Sequence, residues 1–143
     1  MNLQKILTLF VFSLSLTLNA ADKSYGNARV LEITSIYDGD TFRVNIKGFP
    51  AIIGDRMSVR INGIDTPELR GKCEREKVLE RKAKQFTVRK LRTGKSIILK
   101  NIKRGKYFRL IADVYIDGIN LGEQLIKQGH AVRYKGKTKI SWC

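Results

Sequence analysis

Acidic residues are scarce in this sequence: only 13 of 143 residues are Asp or Glu, against 28 Lys and Arg, for a net charge of +15. Such an imbalance repels itself and calls for an anionic partner, with nucleic acid first and anionic membrane or polysaccharide next. The chain has one histidine and two cysteines. That is too few for a four-ligand zinc site, and no Ser/His/Asp or Cys/His set for nucleophilic catalysis is visible. There are only two prolines, and there is no Pro-rich linker, internal repeat or low-complexity tract. One domain is therefore expected, and the 43% apolar content is that of a globular chain rather than a disordered one.

Long hydrophobic runs are also missing, except at the start. In residues 1–20 Lys5 is the only charge, and "ILTLFVFSLSLTL" is followed by small Ala20. This apolar stretch is shorter than the ~20 residues a membrane-spanning helix needs. The layout is that of a secretory signal peptide cut after Ala20, leaving residues 21–143 as the mature domain. The product is expected in the periplasm or the medium, without stable membrane association. Export changes the meaning of Cys73 and Cys143, because an oxidising compartment favours pairing them. Two free buried thiols are the alternative, which export disfavours.

From about residue 27 the pattern is strand-like: "ARVLEITSIYD", "TFRVNI" and "RMSVRINGI" are rich in Val, Ile, Thr and Phe and are broken by Gly, Asp and Pro. After Pro67, "CEREKVLERKAKQFTVRKLR" carries Leu79, Ala83, Phe86 and Leu91 at helical spacing and stops at Thr93-Gly94. "SIILKNI" and "RLIADVYI" read as strands, Asp117-Gly118 as a tight hairpin turn, and "LGEQLIKQG" as a short helix ending at Gly129. The last fourteen residues look irregular and basic. The order predicts an α+β protein: a five-stranded OB-type β-barrel with one long helix between strands 3 and 4 and a short C-terminal helix.

The few acids are not evenly spread. Asp38 and Asp40 flank Gly39 at one strand end, and "IDTPE" puts Asp65, Thr66 and Glu68 at another. Carboxylates gathered at two loop mouths suit a hard cation such as Ca²⁺. Either motif alone is equally a turn signal. Arg60 alternates with Val59 and Ile61 and so faces away from them, and Arg109 opens the fifth strand. A guanidinium grips two phosphate oxygens at once. Carboxylates and arginines at strand ends are the parts needed for metal-assisted phosphodiester cleavage.

"DGDT", then "VRINGIDTPE", then "KYFRLIADVYIDGINLGEQLIKQGHA", with these spacings, resemble the staphylococcal-nuclease (thermonuclease) family over roughly residues 27–134. The resemblance implies an OB-type barrel and hydrolysis of DNA and RNA with one Ca²⁺ ion, leaving 3′-phosphate ends, by a monomer. By the same resemblance Asp40 and Asp65 are the calcium carboxylates, Thr66 lends its carbonyl, and Asp38 stands behind the metal. Glu68 is the general base or water-orienting acid, Arg60 and Arg109 hold the reacting phosphate, and Lys106 and Tyr107 contact a neighbouring phosphate. His130 is structural or a weak phosphate contact.

Three stretches depart from the family pattern. Phe108 stands where a glycine usually precedes Arg109. The residues after 134 lack the pattern of the family's long carboxy-terminal helix, and "SWC" with a Cys73–Cys143 bond is expected to clamp the barrel instead. "LRGKCEREK" after the glutamate is more helical than usual. Two other function classes compete with a nuclease. A catalytically inactive OB-fold nucleic-acid-binding module is countered by retention of Asp40, Asp65, Glu68, Arg60 and Arg109. A membrane- or wall-active cationic protein is disfavoured because its basic residues are scattered rather than gathered on one amphipathic face.

Overall fold

The computed structural model describes residues 23–143, so the expected signal peptide lies outside the described residues. Among the described residues no helix is long and apolar enough to cross a membrane.

Alternation of apolar and polar residues builds the strands. In β1 (Ala28–Ile36), β2 (Thr41–Ile46) and β3 (Met57–Ile61), alternate side chains such as Phe42, Val44, Val59 and Ile61 turn into a sealed interior. β5 (Ile97–Arg104) and β6 (Arg109–Ile116) add Leu99, Ile102, Ala112 and Val114. β2 pairs antiparallel with β1 and β3, and β5 pairs antiparallel with β1 and β6. The barrel closes where β3 and β6 run parallel, with Arg60 opposite Ile111. A parallel pair forms only when a long connection brings the second strand back. Here that connection carries α2 (Glu74–Thr93) and β5. The five-stranded barrel and its helix between the third and fourth long strands match the expected fold, with this parallel seam in place of a simple meander.

The expected ends of the elements hold closely. Cys73 caps α2 and Gly94 terminates it. Asp117 and Gly118, at φ of 50° and 83°, form the hairpin turn that leads from β6 to the short β7 (Ile119–Asn120). Two consecutive left-handed residues are what a type I′ turn requires. Asn120 then caps α3 (Leu121–Lys127) by accepting from the Glu123 amide. The link between β2 and β3 contains one further turn of helix, α1 (Ala51–Gly54).

The carboxy-terminal stretch is not wholly irregular. β8 (Val132–Arg133) pairs antiparallel with β4 (Ile64–Asp65), placing Val132 opposite Asp65. The tail therefore leaves α3 and runs directly past the "IDTPE" loop. It ends at Cys143, which is disulfide-bonded to Cys73 across a Cα–Cα distance of 5.9 Å.

Candidate active site

The "DGDT" turn is held by its own polar groups. Asp38 Oδ1 accepts from the Asp40 amide at 3.0 Å, and the Tyr37 amide donates to the Thr41 carbonyl at 2.9 Å. Gly39 has a separate reason to be glycine. A Cβ there would lie 2.9 Å from Ala83 Cβ and 3.0 Å from Thr66 Cγ2, while Thr87 Oγ1 donates to its carbonyl at 2.6 Å. The turn is thus wedged between α2 and the "DTPE" loop, and this close approach places Asp40 beside Thr66. Gly39→Ala is expected to destabilise the fold by about 2 kcal/mol through overpacking, read by urea unfolding. An unchanged midpoint would mean that α2 yields freely.

Arg60 joins the two acidic motifs. Its η nitrogens donate to Asp40 Oδ1 at 2.8 Å and to Asp65 Oδ1 at 2.9 Å. Asp40 is 1% exposed and Asp65 2%, so these are buried carboxylates answered by one guanidinium. Asp40 Oδ2 also accepts from the Thr66 amide at 3.2 Å, and its Oδ1 from the Thr41 hydroxyl at 2.9 Å. Burial, with Asp38 alongside, raises the Asp40 carboxyl above the ordinary range, against the pull of Arg60. Asp38 is raised too, chiefly by burial. Burial alone would lower Arg60, but Asp40 and Asp65 outweigh it and hold the guanidinium charged.

Asp38 therefore adds negative charge where it is poorly solvated. A raised carboxyl favours the fold while protonated and opposes it once ionised. Asp38→Asn keeps the acceptor for the Asp40 amide and removes the charge. In chelator the variant is expected to match wild type in acid and to become the more stable of the two as pH rises through the carboxylate range. Denaturant titrations across that window check it, and an advantage that shrinks with rising pH contradicts it.

Glu68, Arg60, Asp38 and Arg109 line one cleft of about 300 Å³ together with Tyr37, Thr41, Tyr134 and Lys139. Arg109 arrives from the start of β6, beside β3, with Ser58 as its register partner. Its Nε is buried and has no hydrogen-bond partner among the described residues. An orphaned buried donor of this kind awaits an acceptor. Phe108, just before it, takes φ of 50°, the left-handed conformation a glycine would adopt without strain. The chain takes this shape with a bulky residue, at roughly 1–2 kcal/mol of strain.

Lys106 and Tyr107 are not brought into this cleft. They sit on the exposed β5–β6 hairpin tip, where Tyr107 is 89% exposed. His130 instead packs its ring on Phe86 of α2 at 5.3 Å, and burial, with Arg89 and Lys82 nearby, lowers its pKa.

Two contributors escape a sequence reading. Glu76, buried at the third position of α2, accepts from the Lys72 amide at 2.8 Å and the Glu68 amide at 3.3 Å. It shapes the loop that carries Glu68. The signal was present as a capping-box pattern, Cys73-Glu74-Arg75-Glu76, with Cys in the usual Ser/Thr place. Lys139 has no such signal. Its ammonium contacts Asp65 Oδ1 at 2.9 Å and pairs with Glu68 Oε1.

Among the described residues no set of three or more His, Cys, Asp or Glu side chains converges as a metal cage. The site instead offers two buried carboxylates, with Thr66 alongside, each already holding a nitrogen cation. Hard oxygen donors that gather positive charge in this way fit a hard cation.

Known proteins resemble this chain. The model of the family described as "Staphylococcal nuclease homologue" matches residues 58–141. An uncharacterized protein of Bacillus anthracis is 33% identical over 105 residues, covering 71% of this chain and 45% of that protein. A probable endonuclease of Schizosaccharomyces pombe is 32% identical over 133 residues, covering 76% of this chain and 56% of its own length. An uncharacterized endonuclease of Haemophilus influenzae is 30% identical over 132 residues, covering 92% of this chain and 66% of its own length. The chain thus spans about half the length of the first two relatives. The family match takes in both arginines, the "DTPE" loop and the tail with Lys139, more than half of the sequence, and the chain belongs to the staphylococcal nuclease homologue family.

Proposed function

We propose that this protein is an exported, calcium-dependent nuclease that hydrolyses DNA and RNA phosphodiesters with little sequence specificity and leaves 3′-phosphate ends. One observation carries the reading. Arg60 clasps two buried carboxylates at a cleft it shares with Glu68 and with Arg109, whose buried Nε has no partner among the described residues. Such a cleft offers fixed donors to a phosphate and a carboxylate to a water.

Asp40 and Asp65, with the Thr66 carbonyl, are the residues that would hold calcium. Bound there, the ion would supply charge stabilisation to a phosphate oxygen and polarise a water. The chain's own groups do the rest. Arg109 turns its free donor to the phosphate, and Arg60 shares its remaining N–H groups with it, where negative charge grows as water attacks. Glu68 orients that water and accepts its proton. A P–O bond forms to the water oxygen as the P–O5′ bond breaks, the 5′ oxygen takes a proton from solvent and leaves as a hydroxyl, and the phosphate stays on the 3′ side. All these groups belong to one chain, which supports action as a monomer. The leader pattern and the disulfide support export.

The test is a plasmid-nicking and oligonucleotide assay on the mature chain with a panel of divalent ions. Cleavage in millimolar Ca²⁺ that chelator abolishes is expected. Tight DNA binding without cutting in any ion would instead make this an OB-fold binding module.

A further inference from the structure

Lys139 lies where the reaction needs negative charge, not positive. Its ammonium sits on Asp65 and Glu68, one a candidate metal ligand and the other the candidate base.

The tail is tied down on both sides of this lysine. Upstream, β8 pairs with β4, the Tyr134 amide donates to the Gly63 carbonyl at 2.9 Å, and the Tyr134 hydroxyl donates to the Lys137 carbonyl at 2.8 Å. Downstream, Cys143 is bonded to Cys73, the residue that caps α2. Between these anchors Lys139 is a tethered cation at an effective concentration of order millimolar. Its side chain is still 40% exposed, so it has solvent to withdraw into. A further cavity of about 300 Å³, lined by Glu68, Lys72 and Glu76 on one side and by Ile140 and Trp142 on the other, separates the strap from the loop beneath it.

We propose that residues 134–143 form a disulfide-anchored strap whose Lys139 ammonium competes with the divalent cation for Asp65 and Glu68. The strap then sets the metal affinity of the enzyme and holds Glu68 in an ion pair until the metal displaces the lysine. This rests on the calcium-nuclease reading above. The physics is like-charge exclusion: Asp65 Oδ1 holds both the Arg60 guanidinium and the Lys139 ammonium at 2.9 Å, and of these two cations Lys139 is the more exposed and the one free to yield to a divalent cation.

Calcium titration calorimetry on the chelator-stripped mature protein tests this without reference to activity. Lys139→Met is expected to bind calcium about tenfold more tightly than wild type, a difference of ~1.4 kcal/mol. Lys139→Arg should stay near wild type, because it restores the competing charge. Trp142 is the only tryptophan and lies three residues from Lys139. Its emission should shift as calcium expels the lysine from the wild-type site, and should shift less in Lys139→Met. Equal or weaker calcium affinity in Lys139→Met overturns the competition and makes Lys139 a substrate contact. Tighter calcium binding in a protein that cuts no nucleic acid would keep the strap and remove the nuclease. No calcium binding by either protein removes both.

Discussion

Replacing Arg60 with alanine is expected to slow phosphodiester cleavage by about 10²–10³-fold and to destabilise the calcium-free protein by about 3 kcal/mol. Both losses have one origin. The guanidinium donates to Asp40 and Asp65, and neither carboxylate has appreciable contact with water. Of these two acids Lys139 reaches Asp65 and not Asp40, so Asp40 would be left with hydroxyl and amide donors alone. A buried acid in that position is far more destabilising than an exposed one, because water cannot replace the lost partner. The stability loss should be larger at pH 8 than at pH 5, since burial already raises the Asp40 carboxyl and lower pH lets it take a proton. Calcium should recover part of the stability but not the rate, because an ion can neutralise the acids without supplying the donors to the phosphate. Arg60→Lys should fall between, keeping the charge and losing the fork. Urea unfolding with and without calcium, alongside single-turnover cleavage, separates the two effects. An alanine variant as stable as wild type at pH 8 would mean that the acid pair does not need its guanidinium. Undiminished cleavage would remove Arg60 from the phosphate site.

The second large effect is expected from Cys143→Ser. The disulfide joins residues separated by 70 positions, and a loop of that length restricts the unfolded chain strongly. The expected loss is about 2–4 kcal/mol. Much of it should reflect the unfolded state, so the folded barrel of Phe42, Val59, Leu99 and Val114 is expected to persist. The strap beyond β8 is where the folded protein should change, because the disulfide is its downstream anchor and the ion pairs of Lys139 with Asp65 and Glu68 would remain. Denaturant unfolding under oxidising and reducing conditions checks this: reduced wild type should match the oxidised serine variant. A difference below about half a kilocalorie between oxidised and reduced wild type would show that the bond closes a loop already compact when unfolded.

Much of the barrel was legible because its signals are local. Phe42, Val44 and Ile46 alternate with polar neighbours, and Ala83, Phe86 and Leu91 follow the helical repeat. Asp117-Gly118 dictates its own turn. The "DGDT" and "DTPE" motifs were equally visible, as was Arg60, turned away from Val59 and Ile61 by strand alternation. What these could not show is why Gly39 must be glycine. That depends on Ala83 and Thr66, which come to its Cα only when α2 docks on the barrel.

Lys106 and Tyr107 mark the opposite limit. Their motif sits next to Arg109 in sequence, but the hairpin carries Arg109 inward and leaves these two at its exposed tip. Adjacent residues part company there because the chain reverses within them, through left-handed Tyr107 and Phe108.

The sequence by itself determined the chemical inventory and the local elements: which strands alternate, where the long helix starts and stops, which acids are too few to be accidental. The tertiary structure alone decided the parallel seam between β3 and β6, the burial that raises Asp40, the grip of Glu76 on the Glu68 loop, and the arrival of Lys139. The reason is the range of the forces. Periodicity and turn chemistry act over a few residues, whereas Lys139 meets Glu68 across 71 positions of chain. That meeting depends on a two-residue strand pair and a terminal disulfide, neither of which imprints a pattern on the lysine itself.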